Sequence, residues 1–163
     1  MYGMISQTPL FLALLFLNLA SAGLVTGGAM VMAFAYTPLL AELPEREAIM
    51  VHRGIGRYVD RWQPKIAWLA LVTGLVELGF SQHLWQTVYI LLGIAGILAL
   101  ITISKTTSIP LAQKIIAWTP AAANKISLEQ LKTKWIRVHY IRSTCGLLGF
   151  LFLIVSALVL VVH

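Results

Sequence analysis

A chain of 163 residues with 59% hydrophobic and only 11% charged side chains carries more apolar surface than a water-soluble domain of its length can hide, since soluble domains run at about 45–50% apolar and about 25% charged. Its mean hydropathy of +0.85 agrees, and a single cysteine, Cys145, excludes an internal disulfide, a thiolate metal cage and a CxxC redox pair. The formal charge of +6 sits on residues that flank apolar segments instead of forming a basic patch interleaved with aromatics, which excludes nucleic acid as a partner and points to membrane topology.

The first apolar stretch, 9–36, is uncharged and longer than the roughly 20 residues that cross a bilayer core. No Lys or Arg precedes it, so it is expected to be a retained span and not a secretory signal. Within it SAGLVTGG, with Gly23, Gly27 and Gly28, offers a small-residue surface for close helix contact. Asn18 lies deeper, as a candidate substrate-binding group or as interhelical glue.

After Pro44, the residues Ala48, His52, Ile55, Val59 and Trp62 recur at helical spacing, opposite Arg46, Arg53, Arg57 and Asp60. This spacing predicts an amphipathic helix at the lipid surface. A second span is expected over 62–82, with Pro64 in its first turn, where the missing N–H is harmless. Glu77, near its outer end, is an ionisable group at membrane depth, either reaching water or bonded inside the bundle. A tight turn around 81–83 leads to a third span, 84–104.

The segment Pro110–Trp118 reads as a second short interfacial helix, followed by a break at Pro120–Asn124. Ser127 and Gln130 then form a capping box, and no breaker follows before Cys145, so the last helix is expected to run unbroken into a fourth span, 143–162. Every Lys and Arg lies in or beside 37–61 or 105–142. The positive-inside rule makes these the two cytoplasmic loops and puts both termini outside. The fold class expected is therefore all-α: one integral membrane domain over 1–163, a four-helix bundle with amphipathic interfacial helices in its cytoplasmic loops, in a bacterial inner (plasma) membrane.

On the last helix Trp135, His139 and Arg142 fall on one face at i, i+4 and i+7. They supply a stacking surface, a titratable imidazole and a guanidinium fork. Topology brings His52 to the same leaflet as His139, so the two can face one cavity. His139 and His52 are the candidate catalytic bases, and Trp135, Arg142 and Asn18 the candidate substrate-binding residues. A packed histidine and an interfacial aromatic belt are the plain alternatives. No phosphate loop, dinucleotide fingerprint, HExxH metal motif or nucleophile elbow is present, and no metal site is expected.

A glycine-containing first span ending in AYTPLLAELP, the segment TTSIPLAQKIIAW and the W-x-x-x-H-x-x-R row of Trp135–Arg142 together resemble the anthrone-oxygenase-like membrane family (domain of unknown function 1772), over roughly Asn18–Val162. Where many relatives carry asparagine this chain has His139, and where theirs reads nvPlN it has Ile109, Pro110, Leu111 and Ala112. The resemblance implies four membrane helices and, for some members, oxygenation of an anthrone to an anthraquinone with no known dedicated cofactor. Read this way, His139 or His52 removes an acidic proton, Arg142 stabilises the oxyanion and Trp135 stacks on the ring. Three other readings stand beside it: a non-catalytic membrane subunit or binding protein, a haem protein with His52 and His139 as axial ligands, and a transporter, for which one intramembrane acid and no evident broken-helix repeat argue weakly. No cofactor is otherwise evident. The partners expected are the lipid bilayer, a lipophilic aromatic small molecule, and further copies of the chain or a membrane complex.

Overall fold

In hydrocarbon, backbone N–H and C=O groups must be satisfied within their own segment, which favours helix wherever the chain is apolar. The structure, a computed structural model, describes residues 9–81, 83–120 and 126–162, excepting the side chains of Asp60 and residues 160–162. Helices are its only regular elements among the described residues: α1 (Pro9–Val31), α2 (Thr37–Glu42), α3 (Glu45–Leu78), α4 (Leu84–Ile103), α5 (Ile109–Ile116) and α6 (Leu128–Val162). Part of the expected break at Pro120–Asn124, and Gln82 of the expected turn, lie outside the described residues.

Two π-turns interrupt the regular winding. Met32–Tyr36 joins α1 to α2 and Ser104–Ser108 joins α4 to α5, so each pair forms one continuous rod. Three helical stretches are long and apolar enough to cross a membrane among the described residues: Pro9–Glu42, Leu84–Ile116 and Leu128–Val159. The apolar half of α3 carries Lys65 and Glu77, and α3 is not one of the three.

The amphipathic segment and the expected second span turn out to be a single 34-residue helix, with Pro64 inside it and not in a first turn. An internal proline removes one ladder hydrogen bond and bends the helix. Ala48 and His52 are buried while Arg46, Arg53 and Arg57 are exposed, as the spacing required. Trp62 departs from that pattern, facing outward with Arg61 and Lys65 over its ring at 5.6 and 5.1 Å. The capping box is formed: Gln130 N–H donates to Ser127 Oγ at 3.2 Å and Ser127 N–H to Gln130 Oε1 at 3.3 Å. From there α6 runs unbroken for 35 residues.

α4 packs mainly on α6 and α1 mainly on α3, with α1–α6 and α3–α4 contacts joining the pairs. The closest helix approach is not at the expected SAGLVTGG surface. A methyl group at Gly27 would meet nothing within 4 Å, whereas one at Gly96 would lie 2.5 Å from Gly149 Cα and one at Gly149 2.9 Å from the Gly93 carbonyl. Gly93 and Gly96 on α4 thus meet Gly149 on α6, where backbones can touch only without Cβ atoms, and a methyl at Gly146 would run into the Leu100 side chain of α4. One apolar core, with Val25, Ala29, Ala67, Leu100 and Leu153, fills the middle of the molecule; another, with Leu40, Ala48, Ile115, Leu128 and Leu131, fills the end where α2, α5 and the start of α6 converge. The candidate site lies where the two meet.

Candidate functional site

The first π-turn delivers Tyr36, α3 delivers His52, and successive turns of α6 deliver Trp135, His139 and Arg142, all lining one partly open cavity of about 80 Å³. Ser108 of the second π-turn, Gln63 and Gln113 add polar atoms, while Met32, Ile55, Val59 and Ile109 make its apolar walls. π-turns widen the local winding and recur at functional sites; here both contribute lining residues.

Four aromatic rings form a contiguous chain at this wall. Tyr36 Oη and His52 Nδ1 share a 2.6 Å hydrogen bond. Trp135 meets the edge of His52 at 4.8 Å between ring centroids and stacks on His139 at 4.7 Å with planes 26° apart. His139 is fully buried, and its Nε2 lies 3.3 Å from the Ala29 carbonyl. A carbonyl only accepts, so Nε2 bears the proton, and in the neutral ring Nδ1 then carries the lone pair. That Nδ1 is buried and has no hydrogen-bond partner, and the same holds for Trp135 Nε1. Ser143, one turn on, donates to the same Ala29 carbonyl at 3.2 Å and holds α6 in register with α1. Arg142 Nη1 donates to Ser104 Oγ at 3.0 Å, and the Ser104 hydroxyl in turn donates to the Leu100 carbonyl at 2.6 Å. Burial pushes His52 down to about 4, so it is neutral at physiological pH.

Four of the five residues singled out in the sequence, His52, His139, Trp135 and Arg142, therefore border one cavity. Asn18 does not. Its amide nitrogen donates to the Ala70 carbonyl at 2.8 Å and to Thr73 Oγ1 at 3.0 Å, tying α1 to α3 away from the site. Glu77 is buried. Tyr36 was missed, although it stands in AYTPLLAELP at the end of the first apolar stretch, at the end of the molecule that carries His52 and His139. Ser104, which holds Arg142, gave no signal in the sequence, since its position depends on the second π-turn.

The residues present do not fit a haem held between His52 and His139. Trp135 contacts both imidazoles and fills the space a bridging macrocycle would need, and the cavity of about 80 Å³ is far too small for one. Nor do the described residues include any group of three or more His, Cys, Asp or Glu side chains placed to hold a metal ion.

The profile of the anthrone oxygenase family matches residues 55–152, more than half of the chain, including α4, α5, most of α3 and the Trp135–Arg142 row. The chain belongs to the anthrone oxygenase family. Neither the curated proteins nor the solved structures contain a significant match to it. Within this family member the matched region carries His139, Trp135 and Arg142 together with Ser104, Ser108 and Gln63, but begins after Tyr36 and His52.

Proposed function

We propose that this protein is a membrane-embedded oxygenase that converts a lipophilic phenolic or polycyclic C–H acid of the anthrone type to the corresponding ketone, using dissolved oxygen. The spans in this reading are the three long apolar stretches and the second half of α3, with the basic loops and the cavity on the cytoplasmic side. The observation that carries it is the state of His139: its Nε2–H is held by the Ala29 carbonyl, and its Nδ1 lone pair is buried beside a cavity with no partner. A general base needs a fixed tautomer and an acceptor atom open to substrate.

His139 Nδ1 takes the proton from the methylene carbon flanked by the aromatic rings, leaving a carbanion whose charge is delocalised onto the carbonyl oxygen. Arg142, steadied by Ser104, stabilises that oxyanion. The carbanion gives an electron pair to O2, forming a C–O bond, and a proton yields the hydroperoxide. Removal of the remaining C–H proton with cleavage of the O–O bond expels water and leaves the ketone. One O2 is consumed and one water released. The Tyr36–His52 pair, a hydroxyl and an imidazole in hydrogen-bond contact, can deliver the proton to the peroxide. Trp135 is held against His139, so in this structure its stacking partner is the base itself, and its work is to fix that ring.

The test is oxygen consumption and quinone formation from an anthrone by purified protein in lipid nanodiscs, above the rate without protein. His139→Ala is expected to lower turnover by about 10²–10⁴, the usual contribution of a general base, with the helical fold retained through Ser143. Equal turnover in wild type and His139→Ala would end the assignment of His139 as the base, and none above background in folded wild type would end the oxygenase reading and favour a non-catalytic membrane subunit.

A further inference from the structure

The cavity of about 80 Å³ is smaller than the roughly 300–1,000 Å³ of pockets that enclose small molecules. A polycyclic substrate must therefore extend beyond it or open it, and the surroundings differ in how easily they can yield. α1 and α6 are locked at this level by the two bonds to the Ala29 carbonyl, and α4 and α6 by glycine contacts. Between α3 and α4, however, lies a second cleft of about 50 Å³. Gln63, Ile109 and Arg142 belong to both spaces, so the cleft adjoins the site with only these three side chains between them.

Its character suits passage of an apolar ring. Its walls include Val25, Pro64, Ala67, Leu100 and Ile101, with Ser104 and Lys105 at the cytoplasmic end. Outside it, Trp68, Leu69, Val72 and Leu98 are all more than two-fifths exposed, the lipid-facing flank of α3 and α4. Both walls carry a break in helical regularity, Pro64 in α3 and the π-turn from Ser104, where the backbone ladder is already interrupted. Nearer the outer end the helices are tight: a methyl at Gly74 would lie 3.2 Å from Ile94. One contact crosses the cleft mouth. Lys105 Nζ lies over the Trp68 ring at 5.2 Å, an exposed and therefore weak cation–π pair between the two walls.

We propose that a planar, largely apolar substrate reaches the His139 cavity sideways from the bilayer, through the cleft between α3 and α4 that Lys105 and Trp68 strap shut. The route rests on the proposed function for its ligand class. A hydrophobic molecule concentrated in lipid meets the apolar mouth first, displaces a weak strap, and brings its polar edge to Arg142, the residue common to both compartments.

The probe is 1,8-dihydroxyanthraquinone, a planar phenol stable to oxygen, added to the full chain in nanodiscs, with association and dissociation followed by stopped-flow fluorescence. Ala67→Phe places a ring in the cleft and is expected to slow both rates by about tenfold or more while Kd moves less than about threefold, because a blocked path changes rates and leaves the end state alone. Trp68→Ala and Lys105→Met, at exposed positions where folding is safe, are expected to raise both rates. Unchanged rates in the two strap variants, or a rise in Kd with unchanged association, overturns the route while leaving the oxygenase reading intact. Binding that follows these rate changes without any turnover upholds the route and sinks the oxygenase. No binding to folded wild type sinks both.

Discussion

Gly96→Ala tests whether the α4–α6 contact is as close as it must be to hold the site. The added Cβ would lie 2.5 Å from Gly149 Cα and 2.8 Å from both Gly149 N and the Cys145 carbonyl, all backbone atoms that no rotamer change can move. Ordinary carbon contacts lie at about 3.5–4.0 Å, so the helices must separate by about 1 Å. Overpacking of this kind costs about 1–3 kcal/mol, against a gain of up to about 1 kcal/mol from replacing glycine inside a helix, so the net change is destabilising. Gly27→Ala is the control: nothing lies within 4 Å, and only the gain remains. Gly146→Ala falls between them, because its first obstacle is the movable end of Leu100.

The readout is thermal unfolding in detergent with a thiol-reactive dye on Cys145, the chain's lone cysteine, part-buried on α6. The expected order of melting temperature is Gly27→Ala at or above wild type, then Gly146→Ala, then Gly96→Ala. Separation of α4 from α6 also pulls Ser104 from Arg142, now 3.0 Å apart; a charge-assisted bond of about 1.5–3 kcal/mol predicts loss of turnover by about tenfold or more. Gly96→Ala as stable and active as Gly27→Ala would refute the close approach.

Because burial lowers His52 to about 4, the unfolded chain, with an ordinary histidine near 6.5, binds the proton first. The stability His52 contributes by staying neutral is thus fully present above about pH 6.5 and is lost as pH falls towards 4, in total on the order of 3 kcal/mol. Melting temperature against pH should fall across that window in wild type and flatten in His52→Gln; parallel curves would count against the neutral buried imidazole. Lys132 donates to the Ala41 and Leu43 carbonyls at 3.3 and 3.4 Å, binding the end of α2 to α6. Lys132→Met should cost about 1–3 kcal/mol by stranding those carbonyls, whereas Glu129→Gln, at the exposed end of its 3.0 Å ion pair with Lys132, should cost under about 1 kcal/mol in the same unfolding assay.

What the sequence made legible was what depends on neighbours along the chain. The capping box at Ser127 and Gln130, the unbroken α6, the buried side of the helix through Ala48 and His52, and the row of Trp135, His139 and Arg142 all follow from helical period and local hydrogen bonding. Features set by packing between distant segments were not legible. Gly93, Gly96, Gly146 and Gly149 look no different from Gly23, Gly27 and Gly28 until α4 meets α6. The π-turns have no composition signal, and without them Tyr36 and Ser104 stood only as the ends of the first and third apolar stretches, with no role at the site. Pro64 was read by its commonest position in helices, the first turn, whereas the amphipathic period before it continues through it without a cap.

Buried polar atoms without partners also occur away from the site, at Asn18 Oδ1 and Glu77 Oε1, so an orphaned atom alone does not mark function. The difference lies in what adjoins each one. Asn18 makes two bonds through its amide nitrogen, and neither it nor Glu77 borders the cavity or its adjoining cleft. Trp135 Nε1 and His139 Nδ1 are a donor and an acceptor on adjacent stacked rings at the wall of a cavity. Burying an unsatisfied group costs about 1–3 kcal/mol, and here a ligand bearing both a hydroxyl proton and an oxygen lone pair could recover that cost at both atoms. A phenol or enol meets that requirement, and a hydrocarbon does not; stabilisation of folded wild type by a planar phenol, but not by its deoxygenated hydrocarbon, should therefore disappear in Trp135→Phe combined with His139→Phe, where both atoms are gone and the apolar cavity wall remains.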